Sequence, residues 1–194
     1  MSLAILSKKD PAVSRLIKSS ELLRAAKELG SGNFCKVFTS SKPTRVLKLT
    51  TDKTHYEYLI GRTAPASIFR PRVYKDFGKI GNTSNGVEIF LLEVERLREL
   101  RYPSQNYSIV AALTEFEISR NRLPELVSEI RGVSRQMLEF MKRLNAFKKS
   151  ISAGYDIGDR NFMERRTGTL VFNDPLYDEA LCDRYYWSGS GYNG

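Results

Sequence analysis

The chain has 194 residues, a formal net charge of +9 and a hydrophobic fraction of 41%. This length and apolar content suit one domain or two small lobes and argue against wholesale disorder. A single histidine argues against Ser-His-Asp catalysis and multi-histidine metal sites, and the two cysteines form no metal or redox motif. No apolar run has the length of a membrane span, so we expect a soluble, cytoplasmic protein without a membrane partner.

The excess of positive charge favours an acidic partner. Nucleic acid, acidic proteins and nucleotide phosphates all meet this description. The basic residues are spread along the chain rather than gathered in one tail. A generally solvated basic exterior is therefore the alternative to a nucleic-acid surface, and charge does not choose between them.

The N-terminal arm, residues 1–20, is predicted to contain a helix from Pro11 through Lys18. Its apolar residues follow helical spacing, and Pro11 suits a first turn. The next segment, 21–29, is rich in apolar residues and is compatible with helix, with strand or with one after the other. Its role in the fold stays open at this stage.

Residues 22–95 are predicted to form a small antiparallel sheet with one helix. The sequence R-V-L-K-L-T at 45–50 is typical of a buried strand, and Asp52 or Thr54 can cap a helix that carries residues 55–60. The turn sequence N-T-S-N-G at 82–86 predicts a hairpin before the strand V-E-I-F-L-L-E-V.

The second half of the chain is predicted to be mainly helical. From Ser108 to Ser150 the apolar residues recur at spacings of three and four, and Pro124 is expected near the start of the longer helix (Ile109, Leu113, Phe116, Ile118, Leu126, Ile130, Val133, Leu138, Met141, Leu144). The chain ends in a Gly/Ser-rich tail that we expect to be mobile. These patterns predict an arm at 1–20, a first lobe at 21–95 and a second lobe at 96–194.

The stretch 153–177 carries polar residues that suit phosphoryl transfer. Two apolar runs, Phe162–Met163 and Leu170–Phe172, predict two short strands joined by a turn, with acidic groups at their outer ends. A carboxylate at Asp156 can accept a hydroxyl proton. Asn161 and Asp174 offer the oxygen ligands that magnesium prefers. Asp and Asn are also common turn residues, so this trio needs support from the rest of the chain.

A glycine-rich hairpin is predicted at residues 30–37. Gly30 and Gly32 would let the backbone approach phosphate oxygens, Phe34 would form the tip and Val37 would cover an adenine. A dinucleotide-binding turn fits badly, because Cys35 replaces its third glycine and the pattern continues as strand rather than helix. A plain hairpin is the alternative.

Lys48 lies among apolar residues of the predicted strand at 45–50. A buried charge is costly unless it is paired, and a triphosphate together with the helical Glu57 would pair it. The alternative is a lysine on an edge strand that faces water. The order of the features favours a nucleotide site: glycine hairpin, strand lysine, helix glutamate, apolar strand, then the Asp-x4-Asn motif and a distant Asp.

These ordered motifs resemble the protein-kinase family over residues 24–180, and most closely the short early serine/threonine kinases of podovirus-type phages. The resemblance rests on G-S-G-N-F-C-K-V, V-L-K-L, D-I-G-D-R-N-F-M and V-F-N-D-P. It implies a minimal two-lobed α+β kinase fold, with an antiparallel-sheet N-lobe that contains one helix and a truncated, mainly helical C-lobe. It also implies ATP and Mg²⁺ as cofactors and host proteins as substrates, including components of transcription and RNA processing.

The same resemblance implies roles for individual residues. Lys48 contacts the nucleotide phosphates, Asp156 orients or deprotonates the substrate hydroxyl, and Asn161 and Asp174 hold magnesium. The hinge Leu92–Glu95, which includes Glu93 and Glu95, binds adenine through its backbone. Arg160 substitutes for the family's lysine after the catalytic Asp.

The sequence departs from the kinase pattern at several positions. Gly154 and Tyr155 replace the usual His-Arg, Asp-Pro-Leu replaces Asp-Phe-Gly, and Lys48 and Glu57 are only nine residues apart. Since Pro175 fixes φ, we expect the metal motif not to switch. Because few residues follow Asp174 in this sequence, we expect the family's peptide-substrate platform to be mostly absent. The alternative function is therefore a kinase-like binding protein that inhibits a host nucleic-acid enzyme by contact.

Overall fold

The computed structural model describes residues 6–61, 67–115 and 130–187. The chain divides into two compact units, each discontinuous in sequence. The first, which we call the sheet unit, comprises Met1–Tyr56, Arg72–Arg96 and Asp178–Gly194; the second, the hairpin unit, comprises Glu57–Pro71 and Leu97–Tyr177. The lobes predicted from the sequence were continuous ranges, whereas each of these units is built from two or three separate ranges.

A five-stranded antiparallel sheet forms the centre of the sheet unit, as the sequence predicted. Its strand order is β1-β2-β3-β5-β4, and the tight hairpin between β4 and β5 contains Gly86 at φ +80°. The chain is therefore α+β, and the expected strands at 45–50 and after 82–86 are confirmed. The strands are β1 Glu28–Ser31, β2 Cys35–Thr39, β3 Arg45–Thr50, β4 Val73–Asn82 and β5 Glu88–Glu95.

The core of the sheet unit lies on one face of this sheet. Leu47 and Leu49 of β3 point into it, together with apolar residues of β2, β5 and the N-terminal segment (Leu6, Val13, Leu23, Phe38, Ile89, Leu91). Helix α1, Pro11–Ser19, contributes Val13, which is fully buried. The predicted N-terminal helix is thus confirmed, with proline in its first turn.

The ambiguous segment 21–29 begins with a turn at 21–25 and continues into β1. Helix α2, Lys53–Ile60, follows β3 as predicted. Its first turn is capped by Asp52, which accepts a hydrogen bond from the backbone amide of His55 at 2.8 Å.

The described residues of the hairpin unit include helices α3, Gln105–Glu115, and α4, Arg135–Ser150, together with several short strands. Helix α4 buries Met137, Phe140, Met141, Leu144 and Phe147 on one face. The prediction that Ile130 and Val133 belong to this helix was wrong. The helix begins later because Ser134 is its N-cap and accepts a hydrogen bond from the Met137 amide at 3.1 Å. Pro124, Phe116, Ile118 and Leu126 lie outside the described residues.

The C-terminal part contains a helix that the sequence did not predict. Helix α5, Glu179–Trp187, follows Asp178, whose carboxylate accepts from the Leu181 amide at 2.9 Å. The tail expected to be mobile, 188–194, lies outside the described residues. Cys35 and Cys182 are not joined in a disulfide. Among the described helices, none is long and apolar enough to cross a membrane.

Asp10 connects α1 to the β4–β5 turn, and we expect it to contribute to stability above acidic pH. Its carboxylate accepts from Ala12 N at 2.8 Å, Ser84 Oγ at 2.6 Å and Ser84 N at 2.9 Å. Burial raises the pKa of Asp10, but the hydrogen bonds from Ser84, Val13 and Ala12 outweigh this effect and lower the pKa. A lowered folded-state pKa means that the stabilisation is present at neutral pH and is lost as the pH falls through that pKa.

Asp10→Ala should therefore destabilise the protein by about 1–2 kcal/mol at pH 7, the typical cost of losing an N-cap. Urea unfolding at pH 7 and at pH 3 measures the effect, and the difference from the wild type should shrink at pH 3. Asp10→Asn is the control, because it keeps a capping oxygen and removes the charge. An Asp10→Ala cost that is the same at both pH values would contradict the assigned role.

Candidate active site

The predicted phosphotransfer stretch folds as two pairs of short strands in the hairpin unit. β6, Ala153–Tyr155, pairs with β9, Leu176–Asp178, and β7, Phe162–Glu164, pairs with β8, Leu170–Phe172. The strand pair β7–β8 with its turn is confirmed. Asp156, however, does not stand at the end of that hairpin: it follows β6, and a short 3₁₀ turn at Asp159–Asn161 leads from it to β7.

The structure brings Asp156, Asn161 and Asp174 together, and we call these three residues the Asp-Asn-Asp group. The Asn161 side-chain amide donates to the Asp156 carbonyl at 3.1 Å. The backbone carbonyl of Asn161 accepts from the Asp174 amide at 3.1 Å, and the Asp156 amide donates to the carbonyl of Pro175 at 2.9 Å. Asn161 is thus bonded to both aspartates, and Asp156 is also bonded to Pro175, the residue after Asp174.

The Asp156 side chain is exposed, whereas its neighbours Tyr155 and Ile157 are buried. Its Oδ1 and the Nδ2 of Asn161 both lie 3.7 Å from the point where a Cβ on Gly158 would stand. The absence of a side chain at Gly158 therefore leaves the space next to both polar groups open. A carboxylate held by buried neighbours and directed to solvent is placed to receive a proton from an incoming hydroxyl.

The donor set of the group suits magnesium. Because the Nδ2 of Asn161 is used on the Asp156 carbonyl, its Oδ1 points away and can act as a ligand, and Asp174 adds a carboxylate. In the described ranges, no three or more His, Cys, Asp or Glu side chains are placed to hold a common metal ion. A site at Asp174 and Asn161 would thus rely on few protein ligands, as is usual for magnesium bound with substrate phosphates.

Tyr58 supports Asp174 from a distant part of the chain, and no sequence pattern indicated this role. Its hydroxyl donates to the Phe172 carbonyl at 2.7 Å, and the Phe172 amide donates to the Phe69 carbonyl at 2.8 Å. Tyr58 is fully buried. Burial raises the pKa of Tyr58 well above its usual value, Arg70 opposes this, and the Asp174 carboxylate raises it further. The phenol therefore remains a neutral donor that fixes the strand leading to Asp174.

Gly154, which replaces a larger residue of the kinase pattern, makes room for an aromatic ring. A Cβ at Gly154 would lie 2.2–2.5 Å from ring and hydroxyl atoms of Tyr177. The ring thus packs on the backbone of β6, two residues before Asp156. Tyr155 is also fixed, since its hydroxyl bonds the Asn145 side chain at 3.0 Å. The unusual Gly-Tyr pair therefore has a packing role in this chain.

Gly154→Ala should destabilise the protein by about 1–3 kcal/mol, the usual cost of overpacking. In the Tyr177→Ala background the same change should cost much less, because the ring that meets the new methyl group is gone. Chemical denaturation of the two single variants and the double variant measures this coupling. Equal costs of Gly154→Ala in both backgrounds would show that the ring does not require glycine.

In the sheet unit, the predicted nucleotide residues form a row across the sheet. Gly30 pairs with Val37, Val37 with Lys48, and Lys48 with Leu92. Residues paired directly across antiparallel strands share a face, so Val37, Lys48 and Leu92 lie on the same side of the sheet. Leu47 and Leu49, the neighbours of Lys48, point to the core on the other side.

Lys48 is buried within this row. It is 4% exposed, and in the part of the chain that the structure describes its ammonium group has no hydrogen-bond or ion-pair partner. The reading of Lys48 as an edge-strand residue facing water is therefore wrong, since β3 lies between β2 and β5. The Lys48 ammonium nitrogen is not among the fully buried unpaired atoms of the described residues, so it keeps some contact with solvent, and an anionic ligand would be able to reach it.

The glycines of the β1–β2 hairpin are not required by the fold itself. A Cβ at Gly30 or Gly32 would meet nothing within 4 Å, and neither residue has a positive φ. Phe34 lies in the turn between the strands, and its carbonyl accepts from the Thr51 amide at 2.9 Å and from the Thr50 and Thr51 hydroxyls. The hairpin is thus tied to the end of β3.

The structure gives the predicted hinge glutamates roles within the sheet. Glu93 accepts from Ser40 Oγ at 2.5 Å and pairs with Arg45 at 2.8 Å; the Ser40 bond, then the Arg45 guanidinium, lower its pKa against the effect of burial. Glu95 accepts from the Arg72 amide at 2.8 Å. The backbone of Leu92–Glu95 pairs with both β3 and β4. Adenine binding through this backbone stays a prediction. Because the strand is paired on both edges, few of its amides and carbonyls are open to a ligand.

Two further predicted residues, Glu57 and Arg160, make no contact described above with the Asp-Asn-Asp group or with Lys48. Glu57 is half-buried on α2 and belongs to the hairpin unit, whereas Lys48 belongs to the sheet unit. Their ion pair stays a prediction. Arg160 is exposed in the 3₁₀ turn that contains Asn161, and its role stays a prediction as well.

Comparison with known proteins gives no family assignment. No family model matches the chain, and no curated protein matches it significantly.

Proposed function

We propose that the protein is an ATP- and magnesium-dependent serine/threonine protein kinase, as its resemblance to the short phage kinases implies. The observation that carries this proposal is the Asp-Asn-Asp group. Its three members are separated by up to 18 residues in sequence and are joined by hydrogen bonds from Asn161 to Asp156 and from Asp174 to Asn161. Neighbouring residues in the sequence do not by themselves require this arrangement. Phosphoryl transfer needs two carboxylates and an amide held close together in this way.

In this proposal each member of the group has one task. Asp156 orients the substrate hydroxyl and accepts its proton, because its carboxylate is the exposed member. Asn161 and Asp174 hold magnesium, and Arg160 lies beside the substrate. The bound metal neutralises charge on the phosphates of ATP. Tyr58 and Pro175 do not touch substrate: they fix the backbone on either side of Asp174.

The sheet unit supports the nucleotide part of the proposal. Among the described residues the Lys48 ammonium group has no hydrogen-bond or ion-pair partner, and phosphate oxygens are suitable partners for it. Gly30 lies two places along the same row, where the absence of a side chain permits close approach of phosphates. Val37, half-buried between them, offers an apolar surface for adenine.

The contacts of Pro175 support an enzyme that needs no activation. Pro175 is buried, and its carbonyl accepts from the Asp156 amide. Turning the segment at Asp174 would break this bond and would oppose the fixed φ of proline. We therefore infer a constitutively active kinase that acts on host proteins, among them parts of the transcription or RNA-processing machinery, and on itself.

Phosphoryl transfer from labelled ATP to proteins of a host lysate tests this proposal. Asp156→Asn and Asp174→Asn should each lower the transfer rate at least about 100-fold, within the range expected for loss of a general base or of charge stabilisation. Asp159→Asn is the matched control, since Asp159 is an exposed carboxylate in the same turn and should leave the rate within about twofold. Chelation of magnesium should abolish transfer by the wild type.

Two outcomes of this experiment would count against the proposal. Transfer that survives Asp174→Asn as well as it survives Asp159→Asn would remove the metal role. A wild-type protein that binds no Mg-ATP in calorimetry and transfers no phosphate would favour the kinase-like binding protein, which acts on a host enzyme by contact.

Gly30→Ala and Gly32→Ala separate ligand binding from folding. Because a Cβ meets nothing and φ is not positive, stability should be unchanged or higher by about 0.4–1 kcal/mol. Affinity for Mg-ATP should fall about tenfold (about 1.4 kcal/mol), since the methyl group obstructs the phosphates. Gly86→Ala is the opposite control: at φ +80° it should cost about 1–2 kcal/mol of stability and leave affinity unchanged. Calorimetry and urea unfolding give both quantities for each variant.

A further inference from the structure

A groove in the hairpin unit lies outside the residues used by the proposed reaction. It has a volume of about 470 Å³ and is lined by the segment Ser67–Phe69 and by one side of α4 (Arg135, Gln136, Glu139, Arg143). This volume is in the range of sites that bind small molecules or a few side chains. None of the lining residues is a member of the Asp-Asn-Asp group.

The walls of the groove are positively charged. In the described part of the chain no carboxylate pairs with Arg135 or Arg143, and both side chains are exposed. Glu139 is the acidic residue of the lining, and Lys142 Nζ holds its carboxylate at 3.1 Å. Arg143 Nε donates to the Glu139 carbonyl at 3.3 Å, so the exposed side of α4 presents two guanidinium groups that are not paired with a carboxylate, next to a carboxylate that is already paired. Guanidinium groups bind carboxylates or phosphates with two parallel hydrogen bonds.

The other wall is apolar and is held in place. Ile68 is 54% exposed, whereas Phe69 is 6% exposed and packs against Phe140 at 5.7 Å between ring centroids. Arg165 donates to the carbonyls of Ile68 and Arg70, and the Phe69 carbonyl accepts from the Phe172 amide. The exposed isoleucine is thus presented on a fixed backbone.

We propose that this groove is a docking site for a peptide segment of a protein substrate, in which acidic side chains flank an aliphatic one. The aliphatic side chain would cover Ile68, and the carboxylates would bind Arg135 and Arg143. Charge alone also suits nucleic acid, but bases need exposed aromatic faces for stacking, and the aromatic residue of the groove is buried. Binding of the peptide stands on the groove alone, and its role in substrate selection rests on the proposed kinase function.

Fluorescence anisotropy with a labelled nonapeptide tests the docking site. The probe has a central Leu-Ile pair between Asp and Glu residues; a second probe has Gly-Gly at the centre, and a third is an oligothymidylate of equal charge. Arg135→Glu/Arg143→Glu and, separately, Ile68→Ser should each weaken binding of the Leu-Ile peptide at least tenfold. The matched control is Lys149→Glu/Arg166→Glu, which makes the same charge change at two exposed cations outside the groove lining and should change affinity less than threefold.

Three results would overturn the site: equal weakening by the control pair, equal binding of the Gly-Gly peptide, or tighter binding of the oligothymidylate that Ile68→Ser does not affect. Ile68→Ser keeps the test valid if the double arginine variant does not fold.

Fusing the Leu-Ile peptide to a protein that the enzyme phosphorylates should lower KM at least fivefold with kcat unchanged, and Ile68→Ser should remove this gain. Peptide binding without Mg-ATP binding would reject the kinase and keep the docking site, and the reverse would reject only the docking site.

Discussion

The hydrogen bond from the Asp156 amide to the Pro175 carbonyl is the constraint on which the candidate active site depends. It joins β6 to the start of β9, so the residue after Asp174 is held next to Asp156. Asn161 lies between them in sequence and bonds to both sides, through its side chain to Asp156 and through its carbonyl to Asp174. Backbone atoms make most of these contacts, so the arrangement does not depend on the side-chain oxygens of the two aspartates.

The rest of the hairpin unit limits how far this arrangement can move. Phe172, two residues before Asp174, is held by the Phe69 carbonyl and by the Tyr58 hydroxyl, and its ring packs between Phe140 and Phe162. Tyr177 packs on Gly154 on the other side. A group fixed from both directions is preorganised, which is what catalysis by positioning requires. It also makes a conformational switch at Asp174 costly.

The sequence predicted the parts of the fold that depend on short-range patterns. Helical spacing at Val13, Leu16 and Ile17 identified α1, and the Asn82–Gly86 turn identified the β4–β5 hairpin. The contacts that position the site could not be predicted, because they join residues far apart: Tyr58 and Phe172 are separated by 114 positions. The start of α4 was misplaced because Ile130 and Val133 continue the apolar spacing, while the cap at Ser134 decides where the helix begins.

Two departures from ordinary folding preferences coincide in the sheet unit. Lys48 is a charge buried between Val37 and Leu92, and Gly30 is a strand residue whose backbone and surroundings would accept a side chain. The glycine costs stability through its backbone entropy, and the lysine side chain is buried without an ion pair among the described residues. Departures of this kind are expected where a sequence is shaped by a ligand rather than by folding. Their position on one cross-strand row favours a single anionic ligand that would bind the lysine and would need the space left by the glycine.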